Sequence, residues 1–184
     1  MNHFLKQLSV FSCIGVFALG LSGCASAPPA DKAAPLVPIA PKTKDEKLSI
    51  YNYLLNDRGV SILEVGETRT IVMSSDVLFT PHSANISDQY LVTLKLIARL
   101  INLYDTTSVS VNAYTNVPGD TARALTEKQA QEVVYYLTQQ GVDTRLLYAK
   151  GYGNAYPVNL KKEAAHFNKR IEIKFQFHPE KKVY

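Results

Sequence analysis

The sequence contains no tryptophan and two cysteines, Cys13 and Cys24, among 184 residues. Because both cysteines lie within the first 24 residues, the rest of the chain can form no disulfide and no cysteine-ligated metal site. The formal net charge of +4 is too small to favour nucleic acid or a polyanionic substrate as a partner. No internal repeat is visible, and the apolar run Leu8–Leu21 is too short to span a membrane.

That apolar run is typical of a secretory signal, which we place at residues 1–23. It ends at Leu21-Ser22-Gly23-Cys24, a site of small residues that resembles the lipobox of bacterial lipoproteins. The resemblance implies cleavage before Cys24 and acylation of Cys24 with fatty acids such as palmitate. An ordinary signal peptide, cleaved near Ala25-Ser26-Ala27, is the alternative.

Residues 24–47 form the predicted lipidated N-terminus and linker, which contains Pro28, Pro29, Pro35, Pro38 and Pro41. Proline fixes φ and favours extended backbone, so roughly 20 such residues at about 3 Å each reach ~60 Å. We interpret the segment as a spacer between a lipid and a folded domain at residues 48–184. Docking of a polyproline II segment to a partner is the alternative.

Two long helices dominate the predicted domain. One begins after Ser87 and runs to about Tyr104, and the other is capped by Asp120 or Thr121 and ends before Gly141. Apolar residues recur at helical spacing along both segments, which indicates that each buries one face. A shorter helix is predicted in front of them, over residues 48–56.

Five strands are predicted from alternation and β-branched content, over residues 60–65, 68–73, 109–114, 146–150 and 171–178. Gly66-Glu67 joins the first two as a hairpin, and we interpret Gly151-Tyr152-Gly153 as a turn. Strands that alternate with amphipathic helices predict an α/β two-layer sandwich with a mixed sheet and both long helices on one face.

Five segments in this order resemble the signatures of the OmpA-like domain, which occurs at the C-terminus of OmpA, in the Pal lipoprotein and in flagellar MotB. They are Leu78–Ile86, Val111–Asn116, Leu125–Ala130, Gly151–Pro157 and Asn168–Ile173. The resemblance implies an OmpA-like βαβαβ core, to which the N-terminal hairpin is an addition.

In that family an Asp after the second strand and an Arg in the following helix hold the diaminopimelate of peptidoglycan. The matching positions are Asn116 and Gln129, and an Asn usual before the helix motif falls on Ala122. Thr115 and Arg170 are retained. Arg170 is expected beside an edge of the sheet, where it either pairs with a nearby carboxylate or contacts the ligand. Neutral amides cannot offer charge-assisted pairing. If each of the two substitutions costs about 1 to 2 kcal/mol, the affinity for peptidoglycan falls roughly 30- to 1000-fold.

The nearby cations Lys128 and Arg123 are candidates to compensate for this loss. Catalysis finds no support, because Ser83 beside His82 lacks a third orienting group. The histidines His82, His166 and His178 show no metal-ligand spacing, so we expect neither a metal nor another cofactor.

The plan of lipobox, proline spacer, hairpin and altered pocket resembles the DotK (IcmN) lipoproteins of the Dot/Icm type IVB secretion apparatus. That resemblance implies an outer-membrane anchor at Cys24, a domain in the periplasm, partners among the other core-complex proteins and a role in effector delivery. The absence of Asp after Cys24 also favours the outer membrane. Partner contacts are expected near Gly66 and Asn116. The alternative is a Pal-type tether that binds peptidoglycan.

Overall fold

The computed structural model describes residues 43–179. Its helices and strands follow in the order α1 (Lys44–Asp57), β1 (Ser61–Val65), β2 (Thr68–Ser74), α2 (Ser75–Leu78), α3 (Asp88–Ile101), β3 (Thr106–Tyr114), α4 (Asp120–Gln139), β4 (Leu147–Gly153) and β5 (Arg170–Phe177). Two short 3₁₀ segments, Thr144–Leu146 and Lys162–Asn168, precede β4 and β5. The predicted signal, Cys24 and most of the predicted linker lie outside the described residues.

The five strands form one sheet in the order β1-β2-β5-β3-β4, in which β3 and β4 are parallel and the other neighbours antiparallel. Helix α4 packs on β3 and β4, α1 packs on β1, and α3 lies between α1 and α4. The predicted two-layer α/β fold with a mixed sheet is therefore confirmed, and the sequence-local hairpin β1-β2 extends it at one edge.

Alternation along the strands explains why the helices cover one face. Ile71, Val111 and Ile173 are fully buried side by side on β2, β3 and β5, whereas Thr70 and Lys174 form a register pair on the opposite face. Each buried aliphatic side chain of this kind stabilises the fold by roughly 1.5–3 kcal/mol. One face of the sheet thus holds the core, and the other carries polar side chains such as Thr70 and Lys174.

Helix α1 begins four residues earlier than predicted, so the last residues of the predicted linker are helical. A capping box explains the start. Thr43 Oγ1 accepts from the backbone N of Glu46 at 3.2 Å, and Glu46 Oε2 accepts from the backbone N of Thr43 at 3.2 Å. These two bonds satisfy backbone N–H groups that otherwise have no helical partner.

Gly151-Tyr152-Gly153 belongs to strand β4, so the predicted turn is wrong. Gly151 pairs with Ala113 of β3 and lies directly against α4, where a Cβ atom would be 2.2 Å from Glu127 N. The glycine is needed for this close approach of strand and helix rather than for a turn.

The outer edge of β4 is closed by side chains of α4. Gly151 N donates to Glu127 Oε2 at 2.6 Å, and Gly153 N donates to Thr126 Oγ1 at 3.0 Å. An unpaired strand edge invites association with other strands. Here the helix that covers the sheet also satisfies the N–H groups of its edge strand.

Two further boundaries differ from the predicted ones, and a third agrees. Helix α4 is preceded by Gly119, which has φ +106° and no side-chain cap, so Asp120 is a helical residue rather than the cap. Helix α3 ends at Ile101, before the predicted Tyr104. Gly141 has φ +87° directly after the end of α4, as predicted for a C′ glycine.

Candidate functional site

A cleft of about 780 Å³ lies between the loop that follows α2 and the N-terminal half of α4. Phe79, Thr80 and His82 line one wall, and Ala122 and Leu125 line the other. The volume is within the usual range for a small-molecule or peptide site.

The first wall is a tightly closed loop. Thr80 N donates to Asn85 O at 2.9 Å, and Asn85 N donates to Ser83 Oγ at 2.8 Å. His82 at its tip has φ +57°, a conformation that non-glycine residues adopt rarely. A bridge between Phe79 and Ile86 joins the two ends of the loop.

The second wall starts where β3 ends. Thr115 N donates to Gly153 O at 2.8 Å, which fixes the first residue of the loop against β4. Thr115 Oγ1 then accepts from Val117 N at 3.3 Å, a local turn that steers the chain towards Gly119 and the start of α4. The end of β3 and the first turns of α4 therefore face the same space.

Gln129 connects the two walls. Its side chain is buried, and Nε2 donates to the backbone oxygen of Ser83 at 3.0 Å. This bond joins α4 to a loop 46 residues earlier in the chain. The amide at this position therefore has a structural role in addition to lining the cleft.

The charged groups of the cleft are two lysines and one aspartate. Lys169 Nζ lies 3.2 Å from Asp76 Oδ1, with both side chains partly accessible, and the exposed Lys128 also lines the cleft. A backbone hydrogen bond also joins the segments that carry Asp76 and Lys169, because Ser75 N donates to Lys169 O at 3.1 Å. The cleft can therefore attract an anionic group through ammonium donors.

Lys169 and Asp76 were not among the predicted pocket positions. They are separated by 93 residues, and neither belongs to the loop or helix that carries the predicted pocket positions. Asp76 lies in the first turn of α2, and Lys169 lies in the segment Asn168–Ile173, directly before Arg170. Pairing of β2 with β5 brings the two together.

The structure places three of the five predicted pocket positions in the cleft lining, namely Thr115, Ala122 and Gln129. Asn116 is exposed and lies outside the lining. Arg170 also lies outside the lining, but its side chain is buried. The proposed compensating cation Lys128 lines the cleft, whereas Arg123 instead packs against Gly153. Cys24 is outside the described residues.

Arg170 lies at the start of β5, a central strand, so its expected position beside a sheet edge is wrong. Arg170 Nε donates to Glu172 Oε1 at 2.6 Å, and Nη2 donates to Tyr156 O at 3.3 Å. Because Arg170 and Glu172 alternate with the core residue Ile171, they occupy the opposite face of the sheet from the core. Arg170 therefore belongs to a polar cluster on the other side of the sheet from the core.

Tyr114 of β3 is part of the same cluster. Burial, followed by the charge of Glu172, raises the pKa of Tyr114 to about 12, although Arg170 acts in the opposite direction. Its ring is stacked on that of Tyr152, with centroids 5.0 Å apart. The cluster ties β5, β3 and β4 together directly before Thr115, where the second wall of the cleft starts.

Within residues 43–179 no three His, Asp or Glu side chains are grouped closely enough to hold a metal ion. In the same part of the chain no helix is long and apolar enough to cross a bilayer.

A model of the OmpA family matches residues 78–170, about half of the chain. Outer membrane protein P5 of Haemophilus influenzae is 33% identical over 93 residues, which are 50% of this chain and 26% of that protein. The chain thus spans about a quarter of this relative's length.

Two solved structures share the fold. A MotB-like protein from Desulfovibrio vulgaris superposes with a TM-score of 0.63 at 17% identity, over 73% of this chain and 92% of that chain. The cell wall anchor of the T6SS from Pseudomonas aeruginosa superposes with a TM-score of 0.62 at 23% identity, over 71% and 97%. At these identities the likeness establishes the common architecture.

Proposed function

The chain belongs to the OmpA family, and on that premise we propose that it is a periplasmic lipoprotein, anchored in the outer membrane, that serves as a structural component of an envelope-spanning machine. The lipid on Cys24 would hold it at the membrane. The linker would give the domain reach, and protein partners would supply its second attachment.

The observation that carries this proposal is the state of position 129. In place of an arginine there is a buried, neutral glutamine whose amide already bonds to Ser83 O at 3.0 Å. Asn116, in place of the aspartate, is exposed outside the cleft lining. A zwitterionic cell-wall ligand therefore lacks both of its expected charge partners at these two positions.

The machine we propose is the Dot/Icm type IVB secretion apparatus, in which the protein would take the place of DotK. Support comes from the plan of the sequence, with its lipobox, spacer, hairpin and altered pocket. In that role the protein carries no catalytic or ATP-driven step and contributes to effector delivery as part of the outer-membrane core complex.

Affinity purification of the full chain from its own membranes tests this proposal. We expect a fixed set of envelope proteins to co-purify, and we expect Cys24→Ser to release the protein from the outer-membrane fraction. Recovery of the full chain without any partner, together with quantitative retention on purified cell walls, would contradict the proposal.

A peptidoglycan tether is the second candidate, because the cleft offers other charges. Lys169, Lys128 and Asp76 line it, and they could contact the carboxylate and ammonium groups of a wall peptide in a different geometry. Retention on purified sacculi at low salt, lost in Lys169→Ala or Gln129→Ala but not in the surface variant Lys95→Ala, would favour the tether. Absence of any retention at low salt would exclude it.

A further inference from the structure

The loop that joins β4 to β5, Asn154–Phe167, displays apolar side chains to solvent. Leu160 is 88% exposed, Val158 61% and Phe167 58%. Single exposed apolar residues are common, but here three occur within ten residues of one segment, and we refer to these three side chains as the apolar surface of the loop. Neither the fold nor the cleft uses this surface.

This loop is held in place from within. Asn168, itself buried, accepts from Val158 N at 2.8 Å and from Asn159 N at 3.0 Å through Oδ1. Its Nδ2 donates to Asn159 O at 2.7 Å. The backbone beside Val158 and Leu160 is thus fixed by a buried amide, and the apolar side chains are held outwards instead of collapsing onto the domain.

Cations flank the apolar side chains. Lys161 and Lys162 follow Leu160 directly, and within residues 43–179 neither forms an ion pair. Glu163 is the single acidic residue of the loop. Two lysines beside Leu, Val and Phe are typical of surfaces that bind anionic bilayers, where apolar groups enter the acyl boundary and ammonium groups meet the headgroups.

A protein partner fits this loop less well. Protein interfaces are depleted in lysine and depend on a closely packed apolar centre. Here Leu160 and its neighbours project singly from irregular backbone, with lysines directly beside them. A fluid lipid surface needs no such shape complementarity, and the polar backbone of the loop can remain at headgroup depth.

We infer that the Asn154–Phe167 loop is a membrane-contacting surface, which inserts Val158, Leu160 and Phe167 into the interface of an anionic bilayer while Lys161 and Lys162 bind its headgroups. The domain would then contact the membrane at a point separate from Cys24, in addition to its contacts with protein partners.

The absence of tryptophan provides a direct test. Leu160→Trp or Phe167→Trp places a single fluorescent reporter on the loop of the full chain, and Leu63→Trp places one on β1, where an exposed leucine has no adjacent lysine. The purified chains are added to vesicles of phosphatidylethanolamine with phosphatidylglycerol, some of which contain brominated acyl chains. Co-flotation with the vesicles measures binding through the lipid on Cys24, and tryptophan emission measures insertion of the loop. Failure of the anchor is therefore distinguishable from failure of the loop to insert.

We expect a shift of the emission to shorter wavelength and quenching by brominated lipid for the two loop variants, but not for Leu63→Trp. Changing Lys161 and Lys162 to glutamine in Leu160→Trp should weaken the affinity of the loop for the anionic vesicles roughly 10- to 30-fold, as expected for two lysines near an anionic surface.

Three results would overturn the inference. They are emission unchanged by vesicles in both loop variants, an equal response from Leu63→Trp, and a shift that requires an added envelope protein. An equal shift on vesicles of neutral phosphatidylcholine would overturn the assigned role of the two lysines.

Discussion

The guanidinium carbon of Arg170 lies 3.8 Å from the centroid of the Tyr114 ring, so that the cation covers the face of an aromatic side chain on the neighbouring strand. The two residues are register partners on β5 and β3. The contact combines a cation–π interaction with an ion pair to Glu172, and it lies beyond the lining of the cleft.

Replacement of Arg170 by alanine should destabilise the fold. The buried guanidinium is lost, and Glu172 is left without its ion-pair partner, so we expect a decrease of about 2–4 kcal/mol in the free energy of unfolding. Urea denaturation of the full chain measures this. Arg145→Ala, which breaks an exposed pair with Asp143, should leave the urea midpoint unchanged. Equal midpoints for both variants would refute a structural role of Arg170.

Tyr114 should make stability depend on alkaline pH. Its pKa is raised from 10.0 to about 12 in the folded chain, chiefly by burial, so the unfolded chain ionises first as the pH rises. The contribution is fully present below pH 10 and is lost as the pH approaches 12, which corresponds to roughly 2–3 kcal/mol.

The pH dependence can be assigned by comparing variants. Between pH 9 and 12 the free energy of unfolding of Tyr114→Phe should fall less than that of the natural chain. For Tyr148→Phe, a change at an exposed position, it should fall as much as for the natural chain. If the natural chain and Tyr114→Phe lose stability in parallel, another group is responsible.

Gly151→Ala should be more damaging than Gly59→Ala. At Gly151 the new methyl would meet the backbone of α4 at 2.2 Å, and neither strand nor helix can move cheaply, so we expect a loss of about 2–4 kcal/mol. At Gly59 there is open space but φ is +72°, which costs about 1–2 kcal/mol. Thermal unfolding of both variants gives the order, and a reversed order would show that α4 and β4 are less closely packed.

Restoration of the family's charges tests the altered pocket. Asn116→Asp together with Gln129→Arg should raise retention on purified sacculi by roughly 30- to 1000-fold, the converse of the estimated loss. A control with the same substitutions at exposed positions that belong neither to the cleft lining nor to the predicted pocket, Asn154→Asp with Gln139→Arg, should leave retention unchanged. No gain in the cleft variant would show that neutrality at 116 and 129 is not what limits binding.

Most of the fold was predictable because its signals are local. Ile171, Ile173 and Phe175 alternate with polar residues, and this pattern alone predicted the last strand. The Gly151-Tyr152-Gly153 segment was assigned wrongly, because glycine marks both a turn and a close approach of backbones, and sequence does not distinguish them.

The candidate site was predictable only in part. Thr115, Ala122 and Gln129 follow from two adjacent motifs, and they line the cleft. Lys169 and Asp76 come from segments 93 residues apart, and the antiparallel pairing of β2 with β5 places them 3.2 Å from each other. No local pattern encodes that distance.

By itself the sequence determined the family, the order of helices and strands, and the replacement of the two charged pocket positions by Asn116 and Gln129, since these depend on residue type and spacing. Only the tertiary structure decided that Gln129 bonds to the opposite wall and that Arg170 stacks on Tyr114 away from the cleft. The reason is physical. The pairing of β5 between β2 and β3 and the close packing of α4 on β4 bring distant segments together, and that arrangement sets which side chains meet.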